Sequence, residues 1–385
     1  MTSIIYVGMD VHTTNYTLCC YSMEDDRFFA EVQVEPDAKN ILKYLARIEK
    51  QQSRDCRIVC GYEAGCLGYS LYHHLHAHGI DCVILAPTTM MTKPGKRIKT
   101  DRRDARLISK CLAFHTYSPV YIPTEVDDAV KEYIRMRDDA NSALARVKQQ
   151  IIAFCIRHGK IHDGKSYWTN KHLEWLSSLD LGNKILSEVL QEYLIRYYQL
   201  REQVDMYDMR INELAQAEPY RQKVEKLGCF RGIAAHTALS FCVEVGDFRR
   251  FATAQQFASY LGLVPGECSS GDKQQYTGIT KAGNSHLRKL LVETAQVFGR
   301  SATKSGKSVA LKERQAKCDS LTVAYADKAN ARLKKKYFKI AMRSKVNFAK
   351  TAVAREMACF IWGMMTDNIL ECYPLSAVTN SPKIC

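Results

Sequence analysis

Long apolar runs are missing from this 385-residue chain. The longest candidate, ACFIWGMM near the C-terminus, falls well short of the roughly 18 to 20 residues that a membrane span needs, so no membrane partner is expected. Low-complexity tails and internal repeats are absent, and no signal peptide is read at the N-terminus. Cysteine is plentiful, but the fifteen present are odd in number and scattered. That pattern predicts reduced thiols in the cytoplasm and no disulfide framework. Other chemistries lack a necessary member. Cys56 and Cys60 have C-x3-C spacing with no second pair to complete a zinc site, and they read as core thiols. His74 and His78 stand four apart on a helix with no H-E-x-x-H glutamate, so they receive no role. The serines of ECSSG do not lie in a G-x-S-x-G elbow, which leaves a hydrolytic triad poorly supported.

Acids are scarce in one place above all. Between residues 300 and 355 only Glu313, Asp319 and Asp327 stand against sixteen Lys or Arg. That excess of thirteen is nearly the whole net charge of +14, and the rest of the chain is close to balanced. Charge concentrated in this way favours a nucleic acid over a small neutral substrate. Within the segment, LKKKYFK (333–339) interleaves aromatic and basic residues as nucleic-acid binders do. A solvated basic face is the competing explanation.

The length predicts two or three domains, and 46% hydrophobic residues provide ample core. IIYVGMDVH (4–12), YTLCCYS (16–22) and RFFAEVQV (27–34) read as a meander of three strands. A helix over 37–50 follows, then a strand RIVCGYE (57–63), a helix over 67–79 and a strand DCVILAP (81–87). Antiparallel strands followed by strand and helix alternation is the ribonuclease H-like layout, an α/β class. Two long helices come next. In the second, Leu186, Tyr193, Leu200, Tyr207 and Leu214 recur every seven residues, with Leu190, Tyr197, Val204 and Ile211 interleaved, a sustained heptad seam. In the first, Tyr133, Ala140, Val147 and Phe154 recur at seven. The seam can pair within the chain or between chains, and self-association is the expectation. From Pro219 onward the pattern is short helices and Gly-rich turns, an all-α class.

Four carboxylates fall at places that demand explanation. Asp10 follows one apolar strand and Glu63 another, so both lie near buried sheet, where an unpaired charge is costly. Asp101 and Asp104 fall in the first turn of a helix beginning near Thr100, three apart and therefore on one face. An N-cap threonine followed by acids that suit the helix dipole would account for the pair alone. Yet residues 93–106 hold seven cations against these two acids. Four acids converging on one spot would need a cation, and all-oxygen ligation suits Mg²⁺ bridging to phosphates. Ser269 and Ser270 sit in a polar, Gly-flanked loop where a hydroxyl can be exposed, although on these residues alone an ordinary turn is the readier explanation.

YVGMDVH, GYEAG and TDRRDAR, with GLVPGECSSG and GITKAGNSHLR downstream, resemble the DEDD transposases of the insertion-sequence one-ten family and its eleven-eleven branch, relatives of the Piv-type DNA invertases. The five motifs occur in the family's order and span almost the full chain. The resemblance implies a RuvC-like domain over residues 1–122, coiled-coil helices over 123–218, and a helical transposase domain over 219–385. It implies that Asp10, Glu63, Asp101 and Asp104 bind Mg²⁺ and that Ser270 is the nucleophile, forming a covalent phosphoserine link to DNA. It also implies recombination of donor and target double-stranded DNA under the direction of a structured bridge RNA, by a dimer or tetramer. Lys99, Arg102, Arg103 and Arg106 around the acids, Arg231, Lys281, Arg288 and Lys289 in the C-terminal part, and Lys334, Lys335, Lys336 and Lys339 in the basic segment are of the type to contact phosphates. LGCFRGIAAHTALSFCVEVGDF resembles the family's helix-hairpin-helix region in part. The alternatives are a RuvC-like metal-dependent nuclease or Holliday-junction resolvase, which has no need of Ser270, and a non-catalytic RNA- or DNA-binding protein.

Overall fold

Along β1 (Ser3–Val11), Ile5, Val7 and Met9 alternate with Tyr6, Gly8 and Asp10, and a strand sends the two sets to opposite faces. The first set joins Ile41, Tyr44, Leu45 and Ile48 of α1 (Ala38–Gln51) and Leu71 and Leu75 of α2 (Ser70–Ala77) in one core. In α1 those four residues recur at three and four, the spacing of a single helix face. On the other side Tyr6 and Tyr21 pack with Ile108, Cys111 and Leu112 of α3 (Asp101–Ala113). The computed structural model describes residues 3–51, 56–65, 67–90, 100–267, 276–300 and 306–369.

The sheet has the order β3-β2-β1-β4-β5, with β2 Tyr16–Ser22, β3 Arg27–Val34, β4 Cys56–Glu63 and β5 Asp81–Leu85. β1, β2 and β3 form an antiparallel meander, whereas β4 and β5 join parallel to β1. The expected elements of this region are all present, with ends within about two or three residues of their expected places. The chain divides into two compact units, residues 1–122 and 123–385.

The second unit begins with two 33-residue helices, α4 (Glu125–Arg157) and α6 (Lys184–Gln216). Thr124 and Asn183 cap their N-termini by accepting hydrogen bonds from the first-turn amides. Tyr133 meets Tyr207 with ring centroids 5.8 Å apart, and Phe154 meets Tyr193 at 6.0 Å. The start of one helix therefore lies against the end of the other, an antiparallel hairpin. Leu190, Tyr197, Val204 and Ile211 are its buried row, and the Leu186 to Leu214 row is half-buried beside it. Of the two pairings open to the heptad seam, the one within the chain is present: the seam is filled by Leu144, Val147, Ile151 and Phe154. Arg137 pairs with Asp208 at 2.7 Å between the two helices.

At the base of the hairpin Val130, Ile134, Ile211 and Ala215 enter the core shared by α7 (Arg221–Gly228), α8 (Ala235–Val245), α10 (Ser285–Arg300), α12 (Ser320–Ala341) and α13 (Val346–Met365). The remaining elements are α5 (Asn170–Ser177), α9 (Ala254–Tyr260) and α11 (Val309–Gln315), and a two-stranded ribbon of β6 (Pro265–Glu267) and β7 (Tyr276–Ile279). The apolar run at the C-terminus belongs to α13, where Met357, Ile361 and Met364 have no exposed surface. No helix among the described residues is long and apolar enough to cross a membrane.

Candidate metal centre and nucleic-acid surface

Two glycines set the position of the acids. Gly8 and Gly61 are register partners on the parallel strands β1 and β4. A Cβ on Gly8 would collide with the Ala105 carbonyl oxygen and the Ser109 nitrogen, and one on Gly61 would lie 2.8 Å from methyl groups of Leu112 and Leu85. Helix α3 thus seats directly on bare backbone, closer than any side chain would allow. Each glycine stands two residues before an acid, in Gly-Met-Asp10 and Gly-Tyr-Glu63. Period-two alternation then sends both acids to the face that α3 covers. Met9 pairs with Tyr62, so Asp10 and Glu63 end adjacent strands.

The first turn of α3 brings its own acids to the same place. Thr100 is the N-cap, its hydroxyl accepting from the Arg103 amide, and Asp101, Ala105 and Ser109 continue along the face that meets Gly8. One ligand atom each from Asp10, His12 and Asp101 lies within 4.8 Å of the others. His12 Nε2 is 3.2 Å from Asp10 Oδ2. The Asp10 carboxyl is pushed above the usual carboxylate range, first by burial and then by the charges of Asp104 and Asp101, with His12 opposing. Glu63 is exposed at the end of β4. Of the four expected acids, Asp10 and Asp101 meet within ligating range, Asp104 is felt electrostatically, and Glu63 adjoins by strand register. His12 was not expected. Its signal was the D-V-H spacing, which puts residues 10 and 12 on one face of an extended segment. Carboxylate oxygens with one imidazole form a donor set that fits a divalent metal ion.

The cations fare unequally. Lys99 and Ser270, like Ser269, lie outside the described residues. Arg102 and Arg103 are exposed on the first turn of α3. Arg106 is engaged: its guanidinium donates to both oxygens of Glu31, at 3.0 and 2.6 Å, and lies over Phe28. Arg288 donates from Nη1 to the carbonyl oxygens of Leu261 and Ala282, tying two turns together. Arg231 donates to the Gly306 carbonyl. Lys281 and Lys289 are exposed. On α12, Lys335 and Lys339 are exposed, Lys334 is half-buried, and Lys336 pairs at 2.7 Å with the buried Glu356, which Arg332 also contacts. His78 Nδ1 contacts the His74 carbonyl oxygen at 2.8 Å within α2 and its C-cap, a local helix contact.

A second cluster of acids and histidines was not legible beforehand. Asp138 of α4 is held between His236 of α8 and His286 of α10, at 2.9 and 2.8 Å, with Arg137 at 3.2 Å. His286 also reaches Glu244, which Arg135 and Asn284 contact. Burial alone would raise both carboxyls, but hydrogen bonds and charge from the histidines and arginines win. They hold Asp138 well below the usual range and pull Glu244 down to about 2. Burial disfavours the His286 cation, yet the two carboxylates lift it to about 9.

Comparison with known proteins bears on both units. A transposase family model of the DEDD type matches residues 7–156, and the model of the Transposase IS116/IS110/IS902 family matches residues 225–314. The transposase for insertion sequence element IS1533 of Leptospira borgpetersenii is 32% identical over 340 residues, covering 86% of this chain and 95% of that protein. The Sinorhizobium fredii protein y4qE is 36% identical over 304 residues, 79% of this chain and 74% of its own. The transposase for element IS1111A of Coxiella burnetii is 26% identical over 268 residues, 66% of this chain and 71% of its own. These are enzymes of DNA cleavage and strand transfer. The chain belongs to the IS110 family of insertion-sequence transposases.

Proposed function

We propose that this transposase is an RNA-guided DNA recombinase, working in the cytoplasm on donor and target double-stranded DNA with a structured bridge RNA as its guide. The N-terminal unit is read as a ribonuclease H-like, RuvC-like domain. What supports this is the sheet order β3-β2-β1-β4-β5 with its antiparallel meander and two parallel additions. Asp10, Glu63, Asp101 and Asp104 would hold Mg²⁺, which on binding supplies a Lewis acid for phosphodiester chemistry. The observation that carries the reading is the seating of α3 on Gly8, with Asp10 at the end of β1 and Asp101 at the start of α3 in one cluster.

Ser270 is proposed as the nucleophile. Its hydroxyl loses a proton, its oxygen bonds to phosphorus, and a deoxyribose oxygen leaves, so the protein becomes covalently joined to one DNA end. The exposed cations of α3 and α12 are proposed to take nucleic-acid phosphates, and a dimer or tetramer would hold both DNA partners by surfaces other than the heptad seam. The test is incubation with Mg²⁺, RNA and labelled DNA, followed by denaturation. Label on the wild-type protein, absent with Ser270→Ala and little changed with Ser269→Ala, is the expected result. Cleaved DNA with no adduct would hand the chain to the water-using nuclease reading.

A further inference from the structure

We infer that His12 is itself a metal ligand, through Nε2, and that the centre is therefore a mixed nitrogen and oxygen site that prefers Mn²⁺ to Mg²⁺. The inference rests on the metal reading above and deepens it. Five observations carry it. Asp10 and His12 stand two apart at the end of β1, so both side chains leave on the face where α3 begins, while Val11 between them turns away. His12 is rooted by its own amide, which donates to the Asn15 carbonyl at 3.0 Å and closes the turn into β2. Its Nε2 lies 3.2 Å from Asp10 Oδ2, close to the edge of about 3 Å that separates neighbouring donors around an octahedral ion with bonds near 2.1 Å. The third donor, from Asp101, falls within 4.8 Å of both, so one ion can reach all three. The side chains of Asp10 and His12 are 14% and 46% exposed, which leaves room for water or a phosphate oxygen in the remaining positions.

The chemistry of the donors decides the metal. Mg²⁺ is a hard ion that dehydrates reluctantly and is held by oxygen, whereas Mn²⁺ takes the same octahedral geometry and accepts imidazole nitrogen. An all-carboxylate set would not separate the two strongly. The imidazole does.

The experiment uses the full-length protein, stripped with chelator and loaded with Mn²⁺ alone, read by pulsed electron paramagnetic resonance. Wild type is expected to show modulation from a directly bound ¹⁴N nucleus. His12→Gln should keep bound Mn²⁺ but lose that modulation, with its Kd for Mn²⁺ raised on the order of tenfold and its Kd for Mg²⁺, measured by competition, changed by less than about threefold. Asp10→Asn and Asp101→Asn should each weaken binding of both ions. A bound Mn²⁺ sensitive to Asp10→Asn but lacking ¹⁴N modulation, or modulation that persists in His12→Gln, overturns the role of His12 and leaves the metal reading standing. Mn²⁺ binding that neither aspartate variant changes overturns the metal reading as well.

Discussion

Asp10 and Asp138 are carboxylates of similar exposure, 14% and 20%, and each is touched by histidine. Their charge environments are opposite. Around Asp138 the chain supplies its own partners: the cations Arg137 and His286 and the imidazole of His236, with Arg135 on neighbouring Glu244. The carboxyl is driven below its usual range, as expected of an acid whose burial is repaid by partners. The Asp10 carboxyl is driven up, first by burial and then by the charges of Asp104 and Asp101, with His12 opposing. The comparison teaches how to separate structural from functional clusters made of the same residue types. A cluster that neutralises itself stabilises the fold. One that accumulates like charge must draw its neutralising cation from elsewhere, and that requirement is a binding site.

The largest effect expected from this contrast is on activity. Asp10→Asn or Asp104→Ala should reduce recombination between donor and target plasmids to background, because on the proposed reading each removes a metal ligand or its supporting charge. Stability measured in chelator should stay the same or rise, since the change relieves repulsion among the acids. Wild-type product from either variant would break the assignment.

Asp138→Ala should do the reverse. Removing the centre of a self-neutralised cluster takes the carboxylate from His236 and leaves Arg137 with Asp208 and His286 with Glu244 as remaining partners, at a cost of about 3 kcal/mol of stability. A chemical melt that leaves this variant as stable as wild type would erase the distinction between the clusters.

The pH dependence sharpens it further. His286 has its folded value raised to about 9 from an ordinary 6.5, so its contribution is fully present below 6.5 and fades as pH rises through 9. Asp138 and Glu244 are shifted down, so their contributions are present above the ordinary carboxylate range and are lost only as pH falls toward 2 and below. The helical unit should therefore lose on the order of 1–2 kcal/mol between pH 6.5 and 9.5. His286→Asn should flatten that slope in urea titrations, and Asp10→Asn should leave it in place.

Much of the first unit was legible in the sequence because strands advertise themselves by composition and alternation. β2 and β3 fall on their expected residues, and the two acids at strand ends follow from the same pattern. The close seating of α3 was legible only in hindsight, through the paired G-x-D and G-x-E spacings, because a glycine states that something approaches without stating what. For His12 the D-V-H spacing is the only signal, and a lone histidine beside a strand-end acid does not declare a partner. The heptad seam was correctly read as a seam, but a repeat of seven carries no information on whether its partner is another copy or the same chain. The Asp138 cluster was invisible because Asp138 and His286 are 148 residues apart, and tertiary packing alone assembles them.

The smallest effect concerns the basic helix α12, where the same contrast recurs among lysines. Lys336, with Arg332, is spent on buried Glu356, whereas Lys335 and Lys339 face solvent. A phosphate contact made by an exposed lysine releases a counterion, so each one lost should flatten the dependence of log K on log salt by about 0.7 to 0.9. Replacing Lys335 and Lys339 together with alanine should therefore reduce the slope for RNA binding by roughly 1.5, with less than about a tenfold loss of affinity at moderate salt and no change in the melt. Lys336→Ala should move the melt and leave the slope nearly as it was, because the paired ammonium neutralises Glu356 and releases no counterions. If instead Lys336→Ala flattens the slope as strongly as the exposed pair does, internal pairing does not decide which charges serve the fold and which are left for a partner.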